Sequence, residues 1–240
     1  ALLRAIGSSP AAAAATMRNR SSTAEAETLK AIDQIGQREV LDIEEYDEHN
    51  EDEGVTLGAD PGDLGGAERK KLLGLAREAE GLSGDKDHKL KELVKLIKKL
   101  LKDGFSPIIF CRFITTVDYV AEYLRKKLGK KAVVEGITGR LHAEERERRV
   151  DLLGQEDKSV LVCTDCLSEG INLQHGFDAV LHYDLSYNPT RHEQREGRVD
   201  RYGQKAEKVR AVTYYGNDNP IDGFMMQVLL RKQRAIVKQL

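Results

Sequence analysis

Gln194-Arg195-Glu196-Gly197-Arg198-Val199-Asp200-Arg201-Tyr202-Gly203-Gln204 places two arginines, Arg198 and Arg201, three residues apart. On a helix that spacing brings both side chains to one face. A guanidinium stays charged at any physiological pH and offers a planar fork of donors that matches phosphate oxygens. Two of them ahead of a Gly-containing turn suit a triphosphate. The competing reading of an isolated Arg-x-x-Arg is a solvated basic helix, so the surrounding sequence has to decide.

Upstream, Ser159-Val160-Leu161-Val162-Cys163 is a short apolar run rich in β-branched residues and reads as a buried strand. Thr164-Asp165-Cys166-Leu167-Ser168-Glu169-Gly170-Ile171-Asn172-Leu173 follows it. Small hydroxyl, carboxylate and glycine residues after a strand suit a loop at the carboxyl edge of an α/β sheet, where ligands bind. Pro107-Ile108-Ile109-Phe110-Cys111 is another such strand, followed by Arg112-Phe113 and a helical pattern with Thr115 or Thr116 as N-cap. Val117, Val120, Ala121 and Leu124 form its apolar face. Ala132–Ile137, Ala179–Tyr183 and Val209–Tyr215 complete five expected strands. Thr138-Gly139-Arg140-Leu141 and a charged helix containing Arg146 come after the first of these. Residues 89–101 carry leucines at helical spacing with lysines opposite, and Gly104 is their expected C-cap. Short apolar strands alternating with amphipathic helices from about residue 86 predict an α/β domain, a parallel sheet covered on both faces.

Residues 194–204 resemble motif VI of superfamily 2 helicases, Gln-x-x-(Gly)-Arg-x-x-Arg, in the Swi/Snf-type form that runs on into Gly-Gln. Gly-Arg-Val-Asp-Arg-Tyr-Gly-Gln is most similar to the RapA-like bacterial members. Residues 164–172 resemble motif V, residues 107–113 resemble motif IV, and Gly139 with Arg146 matches a further family segment more loosely; Arg146 reads equally as a surface ion-pair partner. The resemblance implies a RecA-like (P-loop NTPase-type) fold over residues 86–240, specifically the second of two helicase lobes. It implies that Arg198 and Arg201 reach the phosphates of ATP as catalytic arginines, with Gln194 positioning them. It further implies that Gly170 and Asn172 lie beside the nucleotide, and that Thr164, Arg112 and Thr138 hold a nucleic-acid backbone. Gly203-Gln204 favours a translocase on double-stranded DNA that remodels protein complexes. A strand-separating helicase on RNA or DNA, and a non-catalytic binding or regulatory lobe, remain as alternatives.

The chain contains no Gly-x-x-x-x-Gly-Lys-(Ser/Thr) loop and begins at Ala1. In the family that loop and the acidic residue that holds Mg²⁺ belong to the first lobe. The expectation is therefore a fragment, which takes ATP and Mg²⁺ only together with an N-terminal RecA-like lobe of the same protein.

The first 85 residues differ in composition. Residues 1–38, with the run Pro10–Ala15, read as a helical connection between lobes. Residues 39–66 read as an acidic, flexible insertion, since positions 39–63 hold eleven Asp or Glu and no Lys or Arg. Residues 67–85 read as a short helix and linker. With those eleven set aside from the 40 acidic residues, 29 remain against 38 basic ones, a balance of +9 hidden within a net charge of −2. A positive remainder fits a nucleic-acid partner. No apolar stretch approaches the length of about 20 residues that spans a bilayer, which predicts no membrane partner and a cytoplasmic location. The three cysteines predict reduced thiols, and Cys163-Thr164-Asp165-Cys166 reads as packing rather than as a metal site.

Overall fold

The computed structural model describes residues 2–23, 65–167, 171–186, 188–216, 222–224 and 226–231. The acidic stretch expected over residues 39–66 falls outside them except for Gly65 and Gly66.

Five strands form one parallel sheet: β1 (Pro107–Phe110), β2 (Val133–Ile137), β3 (Ser159–Cys163), β4 (Ala179–His182) and β5 (Arg210–Thr213), in the order β2-β3-β1-β4-β5. All five lie where the apolar runs predict them. The three inner strands β1, β3 and β4 are buried at every position, because the sheet is covered on both sides there and successive side chains enter different cores, whereas the edge strands β2 and β5 are partly exposed. Ile109, Cys111, Val160, Val162, Leu181 and Tyr183 point to one face. Ile108, Phe110, Leu161, Cys163 and Val180 point to the other.

The first face is covered by two helices, the fourth and fifth along the chain among the described residues. Helix α4 (His88–Lys102) buries Leu90, Leu93, Val94, Ile97, Leu100 and Leu101, a stripe at i, i+3, i+4 and i+7. Asp87 caps it by accepting the Leu90 amide at 3.0 Å. Its far end closes with a bond from the Phe105 amide to the Leu100 carbonyl around Gly104, the Schellman arrangement. Helix α5 (Ile114–Leu128) buries Val117, Val120, Ala121, Leu124 and Leu128. Its N-cap is Phe113, not Thr115 or Thr116, and no side chain caps it. The Thr116 hydroxyl instead faces two N-terminal serines, a long-range contact that overrides the local capping preference. The second face is covered by α6 (Ala143–Gly154), through Val150 and Leu153, and by the segments that follow β3 and precede β5.

The N-terminal helices are α1 (Leu2–Ser8) and α2 (Pro10–Thr23), and α3 runs over Gly66–Gly81. Ala13, Ala14 and Met17 of α2 pack on Leu72, Ala76 and Ala79 of α3, so small side chains bring these two helices close. Arg18 clamps Glu80 across the same seam at 2.6–3.1 Å.

One backbone contact fixes how α6 meets the loop before β4. A Cβ on Gly176 would stand 2.5 Å from the Cα of Gly154. Gly176→Ala therefore forces two backbones apart and is expected to lower stability by about 1–3 kcal/mol. Urea unfolding would show this as a reduced midpoint with an unchanged slope, and an unmoved midpoint would mean that the contact relaxes freely.

Candidate functional site

The parallel register sets the functional residues in a row. Ile137 pairs with Cys163 and Phe110 pairs with the same Cys163, so the residues that leave β2, β3 and β1 emerge side by side at the carboxyl edge. Thr138, Thr164 and Arg112 occupy these exits, and Asp184 follows β4 beside them. The structure thus brings together the three residues expected to hold a nucleic-acid backbone. All three are buried: Thr164 is 0% exposed, Thr138 6% and Arg112 8%. Arg146 is buried as well and donates to the Cys166 carbonyl at 2.8 Å, so it supports the loop after β3 from inside the fold.

Helix α7 (Pro189–Gly197) stands over this edge. Asn188 caps it by accepting the Thr190 amide at 3.1 Å, and Pro189 occupies the first helical position, where its missing N–H costs nothing. The helix ends at Gly197, so Arg198 and Arg201 lie in the following turn and not on one helical face as the spacing predicts. Helix-compatible backbone at Arg198 explains why the sequence pattern runs past the true end. Three hydrogen bonds lock the turn. The Gln204 side-chain amide donates to the Phe177 carbonyl at 2.9 Å and to the Val199 carbonyl at 3.0 Å, and its oxygen accepts the Ala206 amide at 2.9 Å. Arg198 is half-buried, while Arg201 and Gln194 are exposed. Tyr202 beside Arg201 is 100% exposed.

Arg195, which the sequence reading passed over, anchors the assembly. Its guanidinium makes a two-pronged bond to Asp165 at 2.6 Å on each prong, lies 5.2 Å from the centre of the Phe110 ring and is 5% exposed. Arg191 approaches the same carboxylate at 3.8 Å. A fork-to-fork pair of this kind fixes orientation as well as distance. It ties α7 to the loop after β3, joining the segments expected to be motifs VI and V. Both residues stand inside the motifs, but no feature of the sequence pairs them. Asn172 is exposed at the end of the same loop, and Gly170 lies outside the described residues. A Cβ on Gly203 would stand 3.8 Å from His175 Cε1, so the end of this loop lies against the arginine turn.

Under α7, His182 is fully buried with Nε2 3.0 Å from Glu196, and its ring lies 4.4 Å from that of His192. Burial holds His182 below the ordinary histidine value against the opposing pull of Glu196. His192 is pushed down to about 4 by burial, with His182 and Arg195 adding to the effect. Both rings are neutral at physiological pH, and His182 donates Nε2–H to the carboxylate. Burial likewise raises the thiols of Cys111 and Cys163, which suits inert core residues. Among the described residues, no group of three or more His, Cys, Asp or Glu side chains is placed to hold a metal ion, and no helix is long and apolar enough to cross a membrane.

Residues 88–203 match the family described as the helicase conserved C-terminal domain. The chain is similar to the ATP-dependent RNA helicase DBP5 of Mycosarcoma maydis, 33% identical over 134 residues that make up 53% of this chain and 28% of that protein. It is equally similar to the RNA polymerase-associated protein RapA of Proteus mirabilis, 33% identical over 128 residues, 52% of this chain and 12% of that protein. The chain therefore covers less than a third of the length of either relative. Among solved structures, the C-terminal part of the Fun30 ATPase domain superposes with a TM-score of 0.53 at 23% identity, covering 62% of this chain and 47% of that one, a likeness of fold.

Proposed function

We propose that this chain, whose residues 88–203 match the helicase conserved C-terminal domain, is the second motor lobe of an ATP-driven superfamily 2 translocase of Swi/Snf type acting on double-stranded DNA. The observation that carries the reading is the arginine turn. Arg195 and Asp165 fix α7 to the sheet edge, Gln204 locks the turn beyond it, and Arg201 is left exposed on a rigid mount. A preorganised, exposed guanidinium is what stabilises charge on a transferring phosphoryl group.

ATP would bind between this lobe and the N-terminal RecA-like lobe, which supplies the phosphate loop and the Mg²⁺ ligands. Arg198 and Arg201 would meet the phosphates from this side, Gln194 would orient them, and Gly170 and Asn172 would border the nucleotide. Tyr202 offers an uncovered ring for the base or for the opposing lobe. Because the arginines reach the phosphates only when the lobes close, nucleotide turnover would alternate closure and opening. Thr164, Thr138 and Arg112 would then hold the sugar-phosphate backbone during each step. Residues 1–38 would connect the lobes, 39–66 form an insertion, and 86–240 the motor lobe.

A second reading, a helicase acting on RNA, is favoured by the similarity to the RNA helicase DBP5. ATP turnover of the full-length protein with duplex DNA and with single-stranded RNA separates the two. Severalfold stimulation by duplex DNA and none by RNA is the expected result. Stimulation by RNA alone would replace the translocase with the RNA helicase, and stimulation by neither would refute the motor reading.

A further inference from the structure

Arg112 lies under helix α1. Arg4, Gly7 and Ser8 of α1 line a small cleft of about 30 Å³ together with Arg112, Asp184 and Asp222, room for little more than a water molecule. The contact is a polar clasp. Ser8 donates its hydroxyl to Asp184 Oδ2 at 2.8 Å and lies 2.8 Å from the Thr116 hydroxyl. Ser9 lies 2.8 Å from the same hydroxyl and accepts the Ala12 amide at 3.0 Å. Lys89 Nζ donates to the carbonyls of Gly7 and Ser8 at 3.0 and 3.3 Å and faces Asp184 Oδ1 at 3.4 Å. The Oδ2 atom that holds Ser8 also accepts the Arg112 amide at 2.8 Å, so one carboxylate joins the helix to the residue beneath it.

Apolar burial contributes little to this contact. Ala5 is the buried apolar residue of α1 and Leu2 packs in part on the α2–α3 seam, whereas Leu3 and Ile6 are 66% and 45% exposed. A helix of seven residues does not persist through its own backbone bonds, and beside the packing of Ala5 and Leu2 the hydroxyls of Ser8 and Thr116 and the Lys89 ammonium tie it to the domain. Elements with few buried apolar contacts open at low cost. Two guanidinium groups of like charge, Arg4 and Arg112, border the cleft, with Asp184 and Asp222 offsetting them. A phosphate is the two-pronged anionic partner that a guanidinium suits.

We propose that α1 is a strap, fastened by Ser8, Thr116, Lys89 and Asp184, that covers Arg112 and lifts before Arg112 engages a nucleic-acid phosphate. The inference rests on the motor-lobe reading, in which Arg112 is a backbone contact. The strap makes nucleic-acid affinity depend on where the N-terminal helices sit, and so on the segment expected to connect the lobes.

Ser8→Ala removes two clasp bonds, and Thr116→Val removes the hydroxyl that faces both serines while keeping the shape of the side chain. In the full chain, hydrogen exchange over residues 2–8 reports release of the strap, and anisotropy of a labelled DNA duplex reports affinity. Both variants are expected to speed exchange in α1 and to tighten binding by about 5-fold or more, the usual scale of coupling between two sites. Adding Arg112→Ala is expected to erase that gain. Faster exchange with unchanged or weaker binding would overturn the strap, as would a gain that survives Arg112→Ala or an α1 that neither substitution loosens. If no variant binds DNA or RNA, in this chain or in the full-length protein, the motor-lobe reading fails and the strap loses its purpose.

Discussion

Arg201→Ala in the full-length protein is expected to abolish nucleic-acid-stimulated ATP hydrolysis, a loss of about 10³–10⁵ in turnover, with the fold intact. The magnitude follows from what the residue would do. An arginine that meets the phosphoryl group only in the closed state acts on the transition state, so its removal lowers turnover more than it weakens binding. Stability should be unaffected because the Arg201 side chain is exposed and the turn that carries it is locked elsewhere, by Gln204. Arg201→Lys should rescue little, since a lysine presents a point charge in place of a planar fork. Arg198→Ala should be mixed in its effects, because Arg198 is half-buried at the end of α7. Single-turnover hydrolysis beside a thermal melt separates the cases. Near-normal turnover in Arg201→Ala would remove Arg201 from the phosphoryl-transfer role.

The sheet was legible in the sequence because burial on both faces leaves a simple mark. Val160, Leu161, Val162 and Cys163 are all apolar although successive side chains enter opposite cores. Helix α4 was legible for a similar reason, since its stripe from Leu90 to Leu101 follows the helical period and Gly104 marks its end. What stayed hidden depends on residues far apart in the chain. Thr116 is a good capping residue by type, but its hydroxyl is taken by Ser8 and Ser9, more than a hundred residues earlier. The end of α7 was misplaced because Arg198 keeps helical backbone after the last helical residue. The resemblance to motifs V and VI located the loop and the turn, yet it did not join them through Asp165 and Arg195. It also gave no sign that Arg112 lies beneath α1.

Asp165→Ala is expected to cost about 3–5 kcal/mol of stability, the range for breaking a buried ion pair from one side. The upper part of that range applies to a charge left with no escape, and Arg195 is close to that condition at 5% side-chain exposure. Asp165 keeps 15% exposure, so some water reaches the pair and the lower part of the range is the safer expectation. Arg191, 3.8 Å from the same carboxylate, would lose that contact too, which removes the negative charge standing between two guanidinium groups on α7. The double variant Asp165→Leu with Arg195→Met should recover most of the loss, because it removes both charges and fills the space with apolar atoms. It should not recover ATP hydrolysis in the full-length protein. Without the fork-to-fork bond, α7 would keep its packing but lose the fixed orientation that the proposed role of Arg201 requires. Denaturant unfolding of the single and double variants, with turnover measured on the same proteins, tests both halves. A loss below about 1 kcal/mol in Asp165→Ala would reduce the pair to the level of a surface contact. Full activity in the double variant would show that apolar packing alone can mount the arginine turn.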